Sequence, residues 1–354
     1  MWFSRGELTG ALGDSVTVLP VAVAIGALTD ISLARMLLSF GAFQVVWGVY
    51  YGLPVSVEPM KALAALVIAG ALTPDELVVA GLLAGVVLLL LGGTGSLGRL
   101  AGYIGEPVVR GVQLAVAFVL LEAGIGLSLG SLPLAAVGVA ATSAVTFAGY
   151  RRASALVVLA IGVGVAVAGN GVPPPALPSF ATALPAPGAV TTRTVEATVA
   201  QLAMTVGNAA IATSLLLSQY YDADVSPDEL GTSMGVMNLA AVPLGALPMC
   251  HGSGGVVGKY TFGARTAASN LVLGGLYGVA ALGAGVVAAF PMAILGVVLA
   301  LVAAELARSG LASSHRPTAV AVGVLGALTN VGVAFVAGTA GYLILERIRE
   351  PRPE

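Results

Sequence analysis

Apolar residues run in long stretches along this chain, and polar residues interrupt them at irregular intervals. The runs cover roughly 8–28, 32–50, 54–71, 75–92, 107–128, 131–149 and 153–169. A Pro-rich stretch follows, GNGVPPPALPSFATALPAPGAVTTR. It cannot continue a helix, because proline lacks the amide donor and clashes with the preceding turn. The apolar pattern then resumes at 197–217, 229–246, 249–264, 268–290, 291–308 and 317–345, the last run being long enough for two short helices. A membrane-crossing helix needs about 20 apolar residues, fewer where it is broken or supported by neighbours. The pattern therefore predicts an all-α polytopic membrane protein with about 14 transmembrane segments, half on each side of the linker. The expected units are 1–170, a linker at 171–195, a second half at 196–347 and a short tail at 348–354, with no C-terminal regulatory domain.

Two interruptions stand at corresponding places. YGLPVSVEPMKA (Tyr51–Ala62) breaks the third run of the first half with Pro54 and Pro59. LGALPMCHGSGGVVGKY breaks the third run of the second half with Pro248 and a glycine cluster. Paired Gly/Pro-interrupted segments in matching positions are the sequence mark of a transporter's central binding site. Spans 3 and 10 are thus expected to be broken half-helices. The first span of each half also carries polar residues inside an apolar helix, in GDSVTVLPVA from Gly13 and QLAMTVGNAAIA from Gln201. An odd number of spans per half makes the two repeats inverted in the membrane.

Composition and charge sharpen this picture. The chain is 58% hydrophobic and only 9% charged, with a mean hydropathy of +0.99; a soluble domain carries about 25% charge. Asp14 interrupts the first apolar run, so the amino terminus does not read as a cleavable signal. With the amino terminus in the cytoplasm and the spans alternating, Arg5, Arg99, Arg110, Arg151, Arg152, Arg265, Arg308, Arg316, Arg347, Arg349 and Arg352 fall inside. Only Arg35 and Arg193 fall outside. This obeys the positive-inside rule and places both termini in the cytoplasm. The net charge of −2 offers no field for nucleic acid. The single cysteine, Cys250, forms no intrachain disulfide and no cysteine metal cluster; His251 and His315 lie too far apart in sequence to suggest a metal site. No cofactor motif is present.

MCHGSGGVVGKY (Met249–Tyr260) admits three readings. A phosphate-binding P-loop needs Gly where Ser253 stands and Ser or Thr where Tyr260 stands, so both ends fail. A helix-packing seam is consistent with Gly254 and Gly258, which are spaced as G-x-x-x-G. The third reading is a broken-helix anion site. A half-helix that begins at mid-membrane leaves its first backbone N–H groups without partners, and these carry the positive end of the helix dipole. Such a terminus suits an anion. Glycine lets the anion reach the backbone. Two breaks would aim two helix N-termini at one point.

The stretches GALGDSVTVLPVAVAI, YGLPVSVEPMKA, TVGNAAIATS and GALPMCHGSGGVVGKYTFGAR closely resemble the molybdate transporter family, a relative of the sulphate permeases. The resemblance runs over essentially the whole chain and is most specific around Pro59–Lys61 and Cys250–Gly255. It implies two inverted seven-span repeats forming core and gate domains, a homodimer, and uptake of molybdate, a tetrahedral dianion, through the plasma membrane. Tungstate is the expected mimic. Carried onto this sequence, the first half-helix start is Ser56, Val57, Glu58, Pro59, Met60 and Lys61, and the second is His251, Gly252, Ser253, Gly254 and Gly255. Asp14, Ser15 and Thr17, with Thr205 and Asn208, would complete the wall. The sequence departs from the family's pattern at Glu58, where Gln is common.

Glu58 would repel a dianion when ionised, and its simplest role is to cap its own half-helix. Removal from water favours a neutral acid. Glu58 or Asp14 is therefore the expected proton carrier of a symport, since intramembrane acids are functional candidates. Asp14 has the plainer alternative of capping a helix or pairing with a polar neighbour. His251 either donates to oxyanion or is satisfied by backbone. Lys61 and Lys259, the only lysines, each sit just inside one half-helix. They would lend positive potential, pair with Glu58, or snorkel to an interface. Glu122 has no evident partner, and His315 falls in a loop. The same fold carrying sulphate or another small anion, an uncoupled channel or facilitator, and a nucleobase permease are the competing functions. An enzyme is disfavoured, because no nucleophile–base pair or paired carboxylates appear at usable spacing.

Overall fold

The computed structural model describes residues 4–176, 185 and 188–349. The first half contains α1 (Arg5–Leu28), α2 (Leu33–Tyr51), an extended stretch ending in β1 (Glu58–Pro59), α3 (Lys61–Ile68) and α4 (Pro74–Gly93). It continues with α5 (Leu97–Ile104), α6 (Glu106–Leu129), α7 (Leu132–Phe147) and α8 (Ser154–Asn170). The second half contains α9 (Thr192–Met204), a π-helical turn (Thr205–Ile211), α10 (Ala212–Tyr221), α11 (Pro227–Ala241), β2 (Met249–Cys250) and α12 (Ser253–Thr261). It ends with α13 (Ala268–Leu282), α14 (Met292–Leu311), α15 (Arg316–Leu328) and α16 (Val331–Arg349). Among the described residues seven helical segments are long and apolar enough to cross a membrane, and four shorter helices are comparably apolar. Leu90, Leu129, Phe147 and Val279 point outward in the open. Helices with satisfied backbones and apolar outer faces are what a bilayer demands. The chain is a polytopic membrane protein.

Local chemistry sets the helix ends. Thr73 with Glu76 and Ser226 with Glu229 form capping boxes, with Pro74 and Pro227 in the first turns of α4 and α11. Several boundaries differ from the apolar runs. The run 229–246 ends as helix at Ala241 and tightens to 3₁₀ through Pro243. The run 268–290 splits at Gly283 into α13 and a 3₁₀ stretch (Ala284–Ala289). The run 317–345 is two helices, parted around Thr329 and Asn330. Helix α9 starts inside the stretch read as linker, because Thr191 accepts from Thr194 N at 3.1 Å. Helix α16 continues to Arg349, into the expected tail. Residues 350–354, and residues 177–184 and 186–187 of the Pro-rich linker, lie outside the described residues. The short α5 and the π-helical turn carry no signal in the apolar pattern.

Helix α6 packs on α14 and α15, α4 on α11, α2 on α13, and α1 on α12. Backbones approach closely where α1 meets α12: a methyl group on Gly258 would lie 2.7 Å from the Gly13 carbonyl oxygen. Small residues permit such contacts in lipid.

The two broken stretches meet inside this bundle. Strands β1 and β2 pair antiparallel, with Glu58 opposite Cys250 and Pro59 opposite Met249. Met60 N donates to the Pro248 carbonyl at 2.8 Å. Asn238 of α11 holds β2 from the far side, exchanging two 2.7 Å hydrogen bonds with the Met249 backbone. Because the strands are antiparallel, α3 and α12 leave the pair in opposite directions, and both begin at it.

Candidate functional site

Helix α12 starts with three amides, those of Ser253, Gly254 and Gly255, that have no acceptor within the helix. The Gly255 amide donates to Glu58 Oε1 at 2.5 Å. Glu58 is fully buried and ion-paired with Lys61 in the first turn of α3. Its carboxylate therefore caps the opposite half-helix and not its own, which corrects the sequence expectation. The glycines make room for it. A side chain on Gly252 would collide with the Glu58 carboxyl carbon, and a methyl on Gly255 would lie 2.6 Å from Glu58 Oε1.

Asp14 forms the second buried carboxylate. It accepts from Ser56 Oγ at 2.5 Å and from Gln44 Nε2 at 2.6 Å, and pairs with Lys259 Nζ at 3.2 Å. Ser56 Oγ also lies 3.4 Å from Glu58 Oε1. The result is one chain of charges, Lys259–Asp14–Ser56–Glu58–Lys61, in which two carboxylates face two ammonium groups. Burying charges is tolerated only when each has a partner, and here the balance is even. Lys259 is fully buried and does not snorkel.

Helix α3 is capped by a residue that the apolar pattern hinted at but the sequence reading did not single out. Gln201 Oε1 accepts from the Ala62 amide at 2.9 Å and the Leu63 amide at 3.4 Å. Its Nε2 donates to Thr205 Oγ1 at 2.9 Å, which commits Thr205 to holding Gln201. Gln44 and Asn270 were missed in the same way. The available signal was a polar residue in an apolar helix.

His251 is also committed. Its Nδ1 lies 2.9 Å from the Ser56 carbonyl, which can only accept, so Nδ1 carries the proton. Its Nε2 then receives the Ser233 hydroxyl at 2.7 Å. The ring stands edge-on to Trp47 and Tyr51. Val57, Pro59 and Met60 are buried in the strand region, and the Val57 carbonyl accepts from Gln44 at 3.2 Å. Ser15 meets the Tyr277 hydroxyl at 3.3 Å. Glu122 is exposed on α6, and His315 caps α15 through Thr318.

One part of the arrangement is open. Gly254, in the first turn of α12, is exposed. A methyl on it would find Thr17 Cγ2 at 3.7 Å and Glu58 Oε1 at 3.8 Å, an ordinary fit. Thr17, Ser253, Asn208 and Lys61 are all half-buried; Asn208 bonds to the neighbouring Ser253, and Lys61 pairs with Glu58. The Ser253 hydroxyl donates to Asn208 Oδ1 at 2.8 Å, which leaves the Asn208 amide nitrogen as a donor. The donors on offer are the Ser253 and Gly254 amides, Asn208 Nδ2 and the remaining protons of Lys61. That set suits an oxyanion.

A family model described as "Molybdate transporter of MFS superfamily" matches residues 6–120 and 193–306, which include both breaks. The chain belongs to the molybdate transporter family. It is a member of a family of transporters and not an enzyme. Molybdate transporter 2 of Arabidopsis thaliana is 28% identical over 412 residues, covering 96% of this chain and 87% of the relative. Molybdate transporter 1 of Chlamydomonas reinhardtii is 25% identical, covering 95% and 90%. The fold of this molybdate transporter family member is shared with the transmembrane domain of the cyanobacterial bicarbonate transporter BicA. The TM-score is 0.69 at 19% identity, over 95% of this chain and 98% of that one. It is also shared with SLC26A9, at a TM-score of 0.73 and 12% identity, over 98% of this chain and 66% of that one.

Proposed function

We propose that this chain imports molybdate across the plasma membrane by proton-coupled secondary transport, with the oxyanion bound between the N-termini of α3 and α12. One observation carries the reading. A carboxylate, Glu58, already sits on the Gly255 amide and beside Lys61, so the junction of the half-helices accommodates an anionic oxygen. The open donors at Ser253, Gly254, Asn208 and Lys61 adjoin it.

Charge balance supports the coupling. Asp14 and Glu58 are matched by Lys259 and Lys61. A dianion entering this neutral set would leave two uncompensated charges in a medium of low dielectric. Protonation of Glu58 removes one of them and releases both the Gly255 amide and Lys61 to the substrate. The charged and titratable groups around Glu58 are Lys61 on α3, Asp14 on α1, Cys250 on β2, Lys259 on α12 and Tyr277 on α13. Asp14 is the alternative carrier, through Ser56.

The packing supports two inverted seven-span repeats, with spans 3 and 10 as β1–α3 and β2–α12. Exchanging the halves maps the α2–α13 pair onto α11–α4, and α6–α14 onto itself. The arginine distribution supports cytoplasmic termini. A homodimer is part of the same reading.

The test is radiolabelled molybdate uptake into proteoliposomes under an imposed proton gradient, competed with tungstate, sulphate and uracil. Competition by tungstate and stimulation by inward protons are expected. Stronger competition by sulphate would reassign the anion, gradient-independent uptake would make the protein a facilitator, and competition by uracil alone would overturn the anion site.

A further inference from the structure

Lys259 is 0% exposed, and its ammonium lies among four oxygens from four other parts of the fold. They are Gln44 Oε1 on α2 at 2.8 Å, the Val55 carbonyl before β1 at 2.9 Å, Asn270 Oδ1 on α13 at 2.8 Å and Asp14 Oδ2 on α1 at 3.2 Å. An ammonium has three protons, so the acceptors outnumber the donors. One carboxylate, two amide oxygens and one backbone carbonyl make an oxygen-only set, the kind a hard metal cation takes.

The oxygens are aimed independently of the lysine. Asn270 Nδ2 donates to the Val55 carbonyl at 2.7 Å and to the Gln44 carbonyl at 2.8 Å. Gln44 Nε2 donates to Asp14 Oδ2 at 2.6 Å and to the Val57 carbonyl at 3.2 Å. With both amide nitrogens spent on neighbours, both amide oxygens turn toward Lys259. The cage therefore has its shape from α1, α2, α13 and the stretch before β1, while the charge at its centre arrives on α12.

We propose that the Lys259 ammonium is a tethered cation, filling a site built for a small monovalent metal ion such as sodium, so that the transport cycle runs without sodium. Removing the ammonium leaves Asp14 buried and uncompensated amid converging oxygens. A buried charge without a partner is strongly unfavourable, which drives uptake of a replacement cation. The site stands on the cage alone and does not depend on which anion is carried.

The test uses purified full-length protein in detergent. Tm is measured for wild type, Lys259→Ala and the double variant Asp14→Asn/Lys259→Ala in sodium chloride or choline chloride at constant ionic strength. Wild type and the double variant are expected to be indifferent to the cation. K259A is expected to show a saturable rise of about 3 °C or more with sodium alone. Folded K259A without a sodium-specific rise would overturn the proposal. Should K259A not fold, Lys259→Gln takes its place, its neutral side chain leaving the Asp14 charge uncompensated. Wild-type anion uptake is compared in the same two salts. Rates equal within about twofold support the tethered cation, and a tenfold dependence on sodium overturns it whatever the variants do. The Tm measurements involve no substrate, so they stand even if molybdate proves to be the wrong anion.

Discussion

Gly254→Ala and Gly255→Ala are neighbouring changes expected to fail in opposite ways. At Gly255 the new methyl would lie 2.6 Å from Glu58 Oε1 and would collide with Asp14 Oδ1 and Ser56 Oγ. Ordinary contact begins at 3.4 Å, so the Glu58 oxygen must retreat by roughly 0.8 Å. That movement stretches its 2.5 Å hydrogen bond from the Gly255 amide to as much as about 3.3 Å and weakens it. A hydrogen bond to a charged group is worth about 1.5–3 kcal/mol, which is the upper bound on the cost of weakening it. Overpacking a filled core costs about 1–3 kcal/mol more. A fall in Tm of roughly 5–15 °C is expected for G255A, measured by unfolding in detergent. At Gly254 no atom lies closer than 3.7 Å to the new methyl, so G254A should keep wild-type Tm. The methyl occupies the open spot, however, and uptake should fall about tenfold or more, equivalent to about 1.4 kcal/mol. G255A with wild-type Tm would refute the packing of the carboxylates on α12. Full uptake by G254A would refute the opening at Gly254 as the place where the anion binds.

Three further variants probe the charge chain. Wild-type uptake is expected to rise as pH falls, because protonated Glu58 releases the Gly255 amide and Lys61. Glu58→Gln should hold uptake near the wild-type acidic level with a flattened pH profile, and an unchanged slope would reassign the proton. Asp14→Asn removes one partner of a buried pair and should destabilise by about 3–5 kcal/mol, read from denaturant midpoints, while leaving the pH slope in place. Gln201→Leu strips the acceptor from the Ala62 and Leu63 amides and should cost about 1–3 kcal/mol in the same measurement.

The apolar pattern carried the membrane class and both broken stretches, because lipid imposes length and polarity rules that survive in any sequence. It misplaced helix ends at Ala241 and Leu282, where 3₁₀ turns of apolar residues extend a run without extending a helix. Within the glycine cluster the sequence offered competing readings, and the structure divides the glycines among different jobs. Gly258 packs against Gly13, Gly252 and Gly255 clear space for Glu58, and Gly254 alone stays open. Spacing along one chain could not separate these jobs, because the neighbours that decide them come from α1 and β1. The same limit applies to Glu58. Its own helix N-terminus is the nearer one in sequence, and the antiparallel β1–β2 pair is what delivers it to the other.

That delivery gives the two half-helices unequal roles. The α3 terminus is closed by Gln201, a neutral amide with no proton to take up at working pH. The α12 terminus is closed by Glu58, which changes charge when it binds a proton. In the proposed cycle, an anion arriving at the junction meets one fixed cap and one that can be neutralised. On the proposed reading, the releasable donors concentrate on α12 and Lys61, while α3 is held by Gln201. A site of two equally free helix ends would hold a dianion more tightly but would offer no proton-linked step for letting it go. On the proposed proton coupling, the asymmetry between Gln201 and Glu58 is the source of that step, and exchanging the two caps in the pair Glu58→Gln with Gln201→Glu should move the pH-sensitive terminus from α12 to α3.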